Sequence, residues 1–159
     1  MTESQLTIGD GDTESRIAMA VHGGAYVIPE PERKTHRDGC IQALQVGWAL
    51  LQAGATSLDA VEAAVAALEL DGAFGAGVGS ALNEEGVVEL DGGLMDGSSM
   101  QVGSVAGIQQ VASAIKVARK VLESQYALLV GDGAARFAQR SGLQLVDPGR
   151  LVSPRELRR

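Results

Sequence analysis

Residues Leu68–Gly97, LELDGAFGAGVGSALNEEGVVELDGGLMDG, determine the fold prediction for this chain. The stretch opens with a cluster of glycines, and a tight loop is expected there because glycine reaches backbone angles that other residues avoid. Gly79–Leu82 and Val87–Leu90 predict two short strands, joined by a turn with Gly86 at its permissive position. A second glycine-rich turn, Asp91–Gly97, ends the stretch.

The residues on either side predict a mixed order of strands and helices. This order is not a regular alternation of strand and helix, so we expect mixed layers without a dinucleotide-binding fold. Residues 1–15 are expected to form a flexible extension and residues 147–159 a mobile linker, on either side of one domain at 16–146. The expected elements are a buried strand at Ile17–Val21, helices at about 34–53 and 57–70, a strand at 103–108, a helix at 112–123, a buried strand at 126–130 and a helix at 134–141.

Apolar residues at helical spacing predict the buried face of each helix. Gly54 is expected to end the first helix with a positive φ. Thr56, with Asp59 three residues later, predicts a capping box at the start of the second. The expected buried residues are Ile41, Leu44, Trp48 and Leu51 in the first helix, Leu58, Val61, Val65 and Leu68 in the second, and Ile115, Ala118 and Leu122 in the third.

The composition indicates a globular protein that binds neither nucleic acid nor membranes. The 159 residues carry a net charge of −7, and 45% are apolar but only 3% aromatic, so the core must consist of aliphatic side chains. The charge favours solubility, and no basic footprint for nucleic acid is present. Neither a signal-peptide pattern nor an apolar run long enough for a membrane occurs. With Cys40 as the single cysteine, we expect a reducing, cytoplasmic location.

Few residues are candidates for chemistry on their own. Gly75–Gly79 has the wrong spacing for a dinucleotide-binding loop, and a close-packed turn is the better interpretation. His22 is either a catalytic base or a turn residue. The turn is favoured because no Ser, Cys or carboxylate stands at a spacing from His22 that is typical of a catalytic site. Asp91 and Asp96 are either paired carboxylates or, as glycine neighbours favour, turn and cap residues. Cys40 is interpreted as a small apolar residue. These candidate residues do not form a complete catalytic site among themselves.

Six short motifs occur in order between about residues 17 and 146. They are Val21–Ala25 (VHGGA), Ser57–Glu62 (SLDAVE), Phe74–Asn83 (FGAGVGSALN), Asp91–Gly97 (DGGLMDG), Val102–Ala106 (VGSVA) and Gly131–Ala134 (GDGA). In this order they resemble the plant-type L-asparaginases, also called isoaspartyl aminopeptidases.

The resemblance implies an N-terminal nucleophile hydrolase of the α+β class, a four-layer αββα sandwich completed by a separate β subunit. Such proteins are made as one precursor, in which a Thr attacks the carbonyl before it, and after cleavage that Thr starts the β subunit. Its hydroxyl is the nucleophile and its own α-amine the base. This chain would be the α subunit and would hold no catalytic residue. The implied partners are the β subunit, a second αβ unit in a heterotetramer, and a small substrate, L-asparagine or a β-aspartyl dipeptide.

Two features of the family can be assigned to numbered positions. The turn of His22, Gly23 and Gly24, here called the HGG turn, should lie beside the nucleophile and shape the pocket. The loop at 68–78 resembles the family's stabilisation loop, where carbonyl oxygens, which are hard ligands, hold a structural sodium ion. A loop held only by its own hydrogen bonds is an equally open alternative, and no organic cofactor is implied. The sodium ligands would be the carbonyls of Leu68, Glu69, Asp71, Phe74, Ala76 and Val78.

Some positions depart from the family pattern. The family usually has Asn where this chain has Gly75, and Gly where it has Tyr26. Residues 117–122 and 128–131 are similar to the related glycosylasparaginases, so hydrolysis of a sugar-linked asparagine is one alternative, which the absence of a signal-peptide pattern disfavours. A non-catalytic structural remnant is the other alternative, because the chain has no Thr in the expected place.

Overall fold

Helices and strands follow one another irregularly within residues 17–158, which the computed structural model describes. The expected extension at 1–15 lies outside these residues. None of the helices in the described part combines the length and apolar content that a membrane crossing needs. The helices are α1 (Arg33–Gln52), α2 (Ser57–Asp71), α3 (Ala114–Leu122) and α4 (Gly131–Arg140), the strands are β1 (Leu90–Met95), β2 (Val102–Ile108) and β3 (Leu128–Val130), and 3-10 turns cover Glu30–Glu32, Pro148–Leu151 and Glu156–Arg158.

The strands of the described residues form one sheet in the order β1-β2-β3. β1 and β2 are antiparallel, with Leu94 opposite Gly103, whereas β2 and β3 are parallel, with Val105 opposite Leu129. Side chains alternate between the two faces of a sheet, and one face packs against α3 and α4. The main core cluster on that side includes Val88, Leu90, Val105, Ile108, Val117, Val121, Ala134 and Ala138.

The opposite face of the sheet is left open by the residues that the structure describes. It carries Met95, Val102, Leu128 and Val130, with relative exposures of 50%, 41%, 55% and 59%. Exposed apolar side chains grouped in this way are typical of interaction surfaces. The prediction of a strand at 126–130 is confirmed for Leu128–Val130, which form β3, but its predicted burial is wrong, because no layer in this part of the chain covers it.

The two long helices pack against each other along small residues. Both begin and end within one residue of the predicted positions, and Gly54 has the expected positive φ of 82°. The predicted capping box is present, since Asp59 N donates to Thr56 Oγ1 over 3.2 Å. The buried residues are His36, Gly39, Ala43 and Gly47 in α1 and Ala60, Ala64, Ala66 and Glu69 in α2.

The predicted buried faces of these two helices are wrong in part. Ile41 and Val61 are 36% and 41% exposed. Two helices approach closely where small side chains meet, and apolar periodicity does not distinguish that seam from a face of larger apolar residues. In α3 the prediction is confirmed, because Ile115, Ala118 and Leu122 are all buried.

Three strand predictions near the sheet need correction. Ile17–Val21 is not a strand: the described residues offer it no pairing partner, and a strand exists only through hydrogen bonds to a neighbour. The predicted hairpin keeps a single antiparallel bridge, between Leu82 and Val88. β1, at Leu90–Met95, instead overlaps the second predicted turn, because pairing with β2 outweighs the weak strand preference of its glycines.

The C-terminal part is more ordered than predicted. α4 begins at Gly131 rather than at Ala134, so the residues Gly131–Gly133 belong to the first turn of the helix. Leu151 is 1% exposed and belongs to the core. Residues 147–158 thus differ from the expected mobile linker, because they pack against the body of the chain.

Candidate functional site

One cleft brings together both features to which the sequence assigned a role. Its volume is about 510 Å³, and it lies between the HGG turn, the loop at residues 72–79, here called the glycine loop, and the C-terminal segment. No Ser, Thr or Cys is among the described residues that line it. They are His22, Gly23, Gly24, Tyr26, Leu68, Phe74, Gly75, Ala76, Ala81, Arg155 and Glu156.

The HGG turn packs closely against its surroundings. Gly24 N donates to His22 Nδ1 over 3.2 Å, so His22 stabilises its own turn, as the favoured interpretation predicts. A Cβ on Gly23 would lie 2.7 Å from Cys40 Sγ and 2.9 Å from Cε1 of Phe74. Only glycine lets the backbone pass this close. The turn is therefore a fixed wall of the cleft.

Backbone hydrogen bonds hold the glycine loop. Val78 N donates to the Glu69 carbonyl over 2.8 Å, and Gly79 N donates to the Leu151 carbonyl over 2.9 Å. The second bond joins the loop to the C-terminal segment. The first bond agrees with the alternative of a loop held by its own hydrogen bonds, whereas the second is supplied by a residue outside the loop.

The Arg155 guanidinium adds a cation to the same loop. Its Nη1 donates to the carbonyl of Ala73, and its Nη2 donates to the carbonyl of Gly79 over 3.1 Å. Its Nε pairs with Glu156 Oε1 at 2.9 Å, which balances the charge. Sequence reasoning missed Arg155, because its partners lie 82 and 76 residues away.

Carbonyl groups of the loop pack tightly against Gly79. The Gly72 and Phe74 carbonyl oxygens lie 2.6 and 3.2 Å from the place where a Cβ on Gly79 would be, so the loop leaves no room for a side chain there. Phe74 is one of the predicted sodium ligands. Within residues 17–158, no cluster of three or more His, Cys, Asp or Glu side chains offers a metal site of another kind. Sodium binding stays a prediction.

The chain matches one family model over nearly its whole length: the model described as asparaginase covers residues 15–159. The chain belongs to the asparaginase family. It is 40% identical over 143 residues to the isoaspartyl peptidase/L-asparaginase of Homo sapiens, covering 89% of this chain and 46% of that protein. It is 44% identical over 147 residues to the plant-type L-asparaginase of Thermococcus kodakarensis, covering 89% of this chain and 48% of the relative. The chain spans about half the length of the curated relatives that it matches.

Tyr26, one of the departures from the usual pattern of the asparaginase family, is held in place by His36. His36 is buried, and its Nδ1 lies 2.9 Å from the Glu32 carbonyl, which can only accept, so Nδ1 carries the proton. In the neutral ring Nε2 then accepts from the Tyr26 hydroxyl, 2.6 Å away. The His36 ring also contacts the edge of Phe74, with ring centroids 5.3 Å apart. Nothing in the sequence indicated that His36 orients a residue of the cleft.

Glu69 has a structural role that its predicted carbonyl contact did not suggest. Its carboxylate accepts a hydrogen bond from the Ser113 hydroxyl and from the amides of Ala114 and Ile115, at 2.8 and 3.1 Å. It therefore caps the N-terminus of α3 from α2, where Ser113 provides no side-chain cap. Burial raises the pKa of Glu69, although these hydrogen bonds and the charge of Lys116 act in the opposite direction.

Asp96 is a turn residue that bonds to neighbouring residues, as the turn interpretation predicts, whereas Asp91 lies on β1 and bonds to a distant amide, so that interpretation is wrong for Asp91. Asp91 Oδ1 accepts from Gly107 N over 2.8 Å. Asp96 accepts from Ser98 N over 3.0 Å and from the Ser99 hydroxyl over 2.6 Å. These hydrogen bonds, above all the one from Ser99, lower the pKa of Asp96 to about 2.

Titration of Asp96 tests this turn. The folded pKa of about 2 is below the ordinary 3.8, so the contribution of Asp96 to stability is present above pH 3.8 and is lost as the pH falls through about 2. We expect Ser99→Ala to raise the pKa of Asp96 towards 3.8, and Ser57→Ala, which removes a hydroxyl that does not bond to Asp96, to leave it unchanged. NMR titration of the Asp96 carboxyl carbon measures both. A wild-type midpoint near 3.8 contradicts the assignment.

Substitution of Arg155 tests its hold on the glycine loop. Arg155→Gln removes charge-assisted hydrogen bonds to two carbonyls, so we expect amide hydrogen exchange in residues 72–79 to become about tenfold faster. Arg155→Lys, which keeps the charge but not the planar fork, should give an intermediate rate. The exposed Arg136 serves as the control, and Arg136→Gln should leave the loop unchanged. Equal exchange in Arg155→Gln and the wild type would show that the guanidinium does not order the loop.

Proposed function

We propose that this chain is the α subunit of a Thr-dependent amidohydrolase that releases aspartate from L-asparagine or β-aspartyl dipeptides. The main support is its identity of about two residues in five to isoaspartyl peptidase/L-asparaginase over 89% of its length, while it spans 46% of that relative. The cleft agrees with a divided site, since its described lining residues include no Ser, Thr or Cys that could attack an amide. The nucleophile would come from a companion segment.

The open sheet face supports the existence of that segment. Met95, Val102, Leu128 and Val130 present an exposed apolar surface on adjacent strands. A sheet of a companion segment would bury this surface and give two sheets packed face to face, with helices outside, which is the four-layer αββα arrangement. The assembly would then be a dimer of αβ units.

The proposed reaction needs few groups from this chain. The companion Thr hydroxyl would add to the amide carbonyl while its proton passes to the Thr α-amine, and the leaving amine would take that proton as the C–N bond breaks. Water would then hydrolyse the ester and release aspartate. The HGG turn would form the adjacent wall of the pocket. The nucleophile and the oxyanion donors would all belong to the companion segment.

A structural sodium ion in the stabilisation loop is part of this proposal. The carbonyls of Leu68, Glu69, Asp71, Phe74, Ala76 and Val78 would hold it, and its charge would balance converging carbonyl dipoles. We also propose a cytoplasmic location, which the presence of only one cysteine supports.

Expression of the gene, including whatever follows Arg159, tests this proposal. Intact mass is expected to reveal a companion chain that begins with Thr. Purified material should hydrolyse L-asparagine or a β-aspartyl dipeptide, while the 159-residue chain alone should be inactive. Faster hydrolysis of a sugar-linked asparagine would favour the glycosylasparaginase-like alternative. A native protein without a Thr-led companion and without amidase activity would be the structural remnant.

A further inference from the structure

The ring of Tyr26 is a rigid part of the cleft wall. The Tyr26 hydroxyl bonds to His36 Nε2 at 2.6 Å, and the two rings meet edge to face with centroids 5.7 Å apart. His36 is in turn fixed by the Glu32 carbonyl and by Phe74. A ring constrained at its hydroxyl end loses little freedom when it contacts a ligand, so it is suited to recognition.

The space along this ring is open and mainly apolar. Tyr26 is 43% exposed, so much of its surface remains free to contact another group. Gly75 lines the same cleft, and a Cβ on Gly75 would meet nothing within 4 Å. Leu68, Ala76 and Ala81 supply further apolar lining. The cleft thus has room for an apolar group beside a fixed aromatic surface.

We propose that Tyr26 is a specificity-determining residue, which contacts the leaving group of the substrate and favours a large apolar one. The inference rests on the proposed function. Hydrolysis of asparagine releases ammonia, which offers nothing for the ring to contact. A β-aspartyl dipeptide releases an amino acid, and the side chain of phenylalanine or leucine would pack against Tyr26 in the space beside Gly75. The residue acts through contact with the leaving group and takes no part in proton transfer.

The test compares substrates in the full native protein. The readout is the ratio of kcat/KM for β-aspartyl-phenylalanine to that for L-asparagine. We expect Tyr26→Ala to lower this ratio about tenfold, the size typical of one lost apolar contact. Tyr26→Phe keeps the ring and should keep the ratio. Tyr126→Ala removes a tyrosine of similar exposure that lies outside the cleft, and the ratio should again be unchanged.

A second variant keeps the test valid if Tyr26→Ala does not fold. Gly75→Leu adds an apolar side chain at a position that lines the cleft, without a steric clash at its Cβ, so it too should lower the ratio about tenfold. If the ratio changes less than about threefold in both Tyr26→Ala and Gly75→Leu, the inference is overturned. An equal loss for both substrates would overturn it as well, because that indicates a purely structural role. Wild-type protein inactive on both substrates would instead overturn the proposed function, and with it this inference.

Discussion

Glu69→Ala is expected to lower the free energy of unfolding by about 3 kcal/mol, since it leaves buried donors at the start of α3 without their carboxyl acceptor. The Glu69 side chain is 4% exposed, and its three partners all belong to residues 113–115. Water cannot readily replace the lost acceptor at so buried a position. The urea dependence of unfolding of the purified protein measures the effect.

Glu69→Gln provides the matched control. It keeps one acceptor oxygen and the shape of the side chain but replaces the other oxygen with an amide nitrogen that cannot accept, so we expect a loss of about 1–2 kcal/mol. The pH dependence of the free energy of unfolding separates the effect of the carboxyl charge from the effect of its acceptor oxygens. Because burial raises the folded pKa of Glu69 above 4.5, the stability that depends on this group is complete below pH 4.5 and is lost as the pH rises through the folded pKa. This slope should vanish in Glu69→Gln. A Glu69→Ala protein as stable as the wild type would show that α3 needs no cap from α2.

Gly103→Ala is expected to lower the free energy of unfolding by about 2–3 kcal/mol. Gly103 lies on β2, directly beneath α3. An added Cβ would clash with the backbone at Ala118 and Leu122 and would lie 2.5 Å from Leu122 Cβ. Backbone atoms cannot rotate away as a flexible side chain can, so the whole helix would have to move from the sheet. Urea unfolding measures the loss.

Gly133→Ala is the control for this prediction. Gly133 lies in α4, and a Cβ there would meet nothing within 4 Å. The substitution should leave stability unchanged or raise it by up to about 1 kcal/mol, since alanine favours a helix more than glycine does. If Gly103→Ala and Gly133→Ala have the same stability, the close approach of β2 and α3 does not constrain the fold.

Local sequence was sufficient wherever a few neighbouring residues fix the structure. Thr56 and Asp59 form their capping box because both partners lie within one helical turn. α3 buries the residues that its period predicts, because it packs on a sheet within the same chain. The HGG turn and the glycine loop, identified through the family resemblance, do line a common cleft.

Contacts between distant residues decided the position of β1, the buried face of α1 and part of the cleft lining. Gly92 and Gly93 belong to a strand because β2 pairs with them, although their own preferences indicated a turn. The small residues of α1 became its buried face because α2, Met19 and Phe74 lie against them. Arg155 and Tyr26 are held in the cleft wall by hydrogen bonds to residues that no periodic pattern connects to them.

The sequence by itself determined the order of most elements, the aliphatic core and the family, because these depend on local spacing and composition. Only the tertiary structure decided that Glu69 caps α3, that Arg155 holds the glycine loop, and that one face of the sheet is open. Each of these depends on which surfaces meet after folding. A sequence pattern shows that a residue is apolar or charged, but it does not show which distant group that residue will contact.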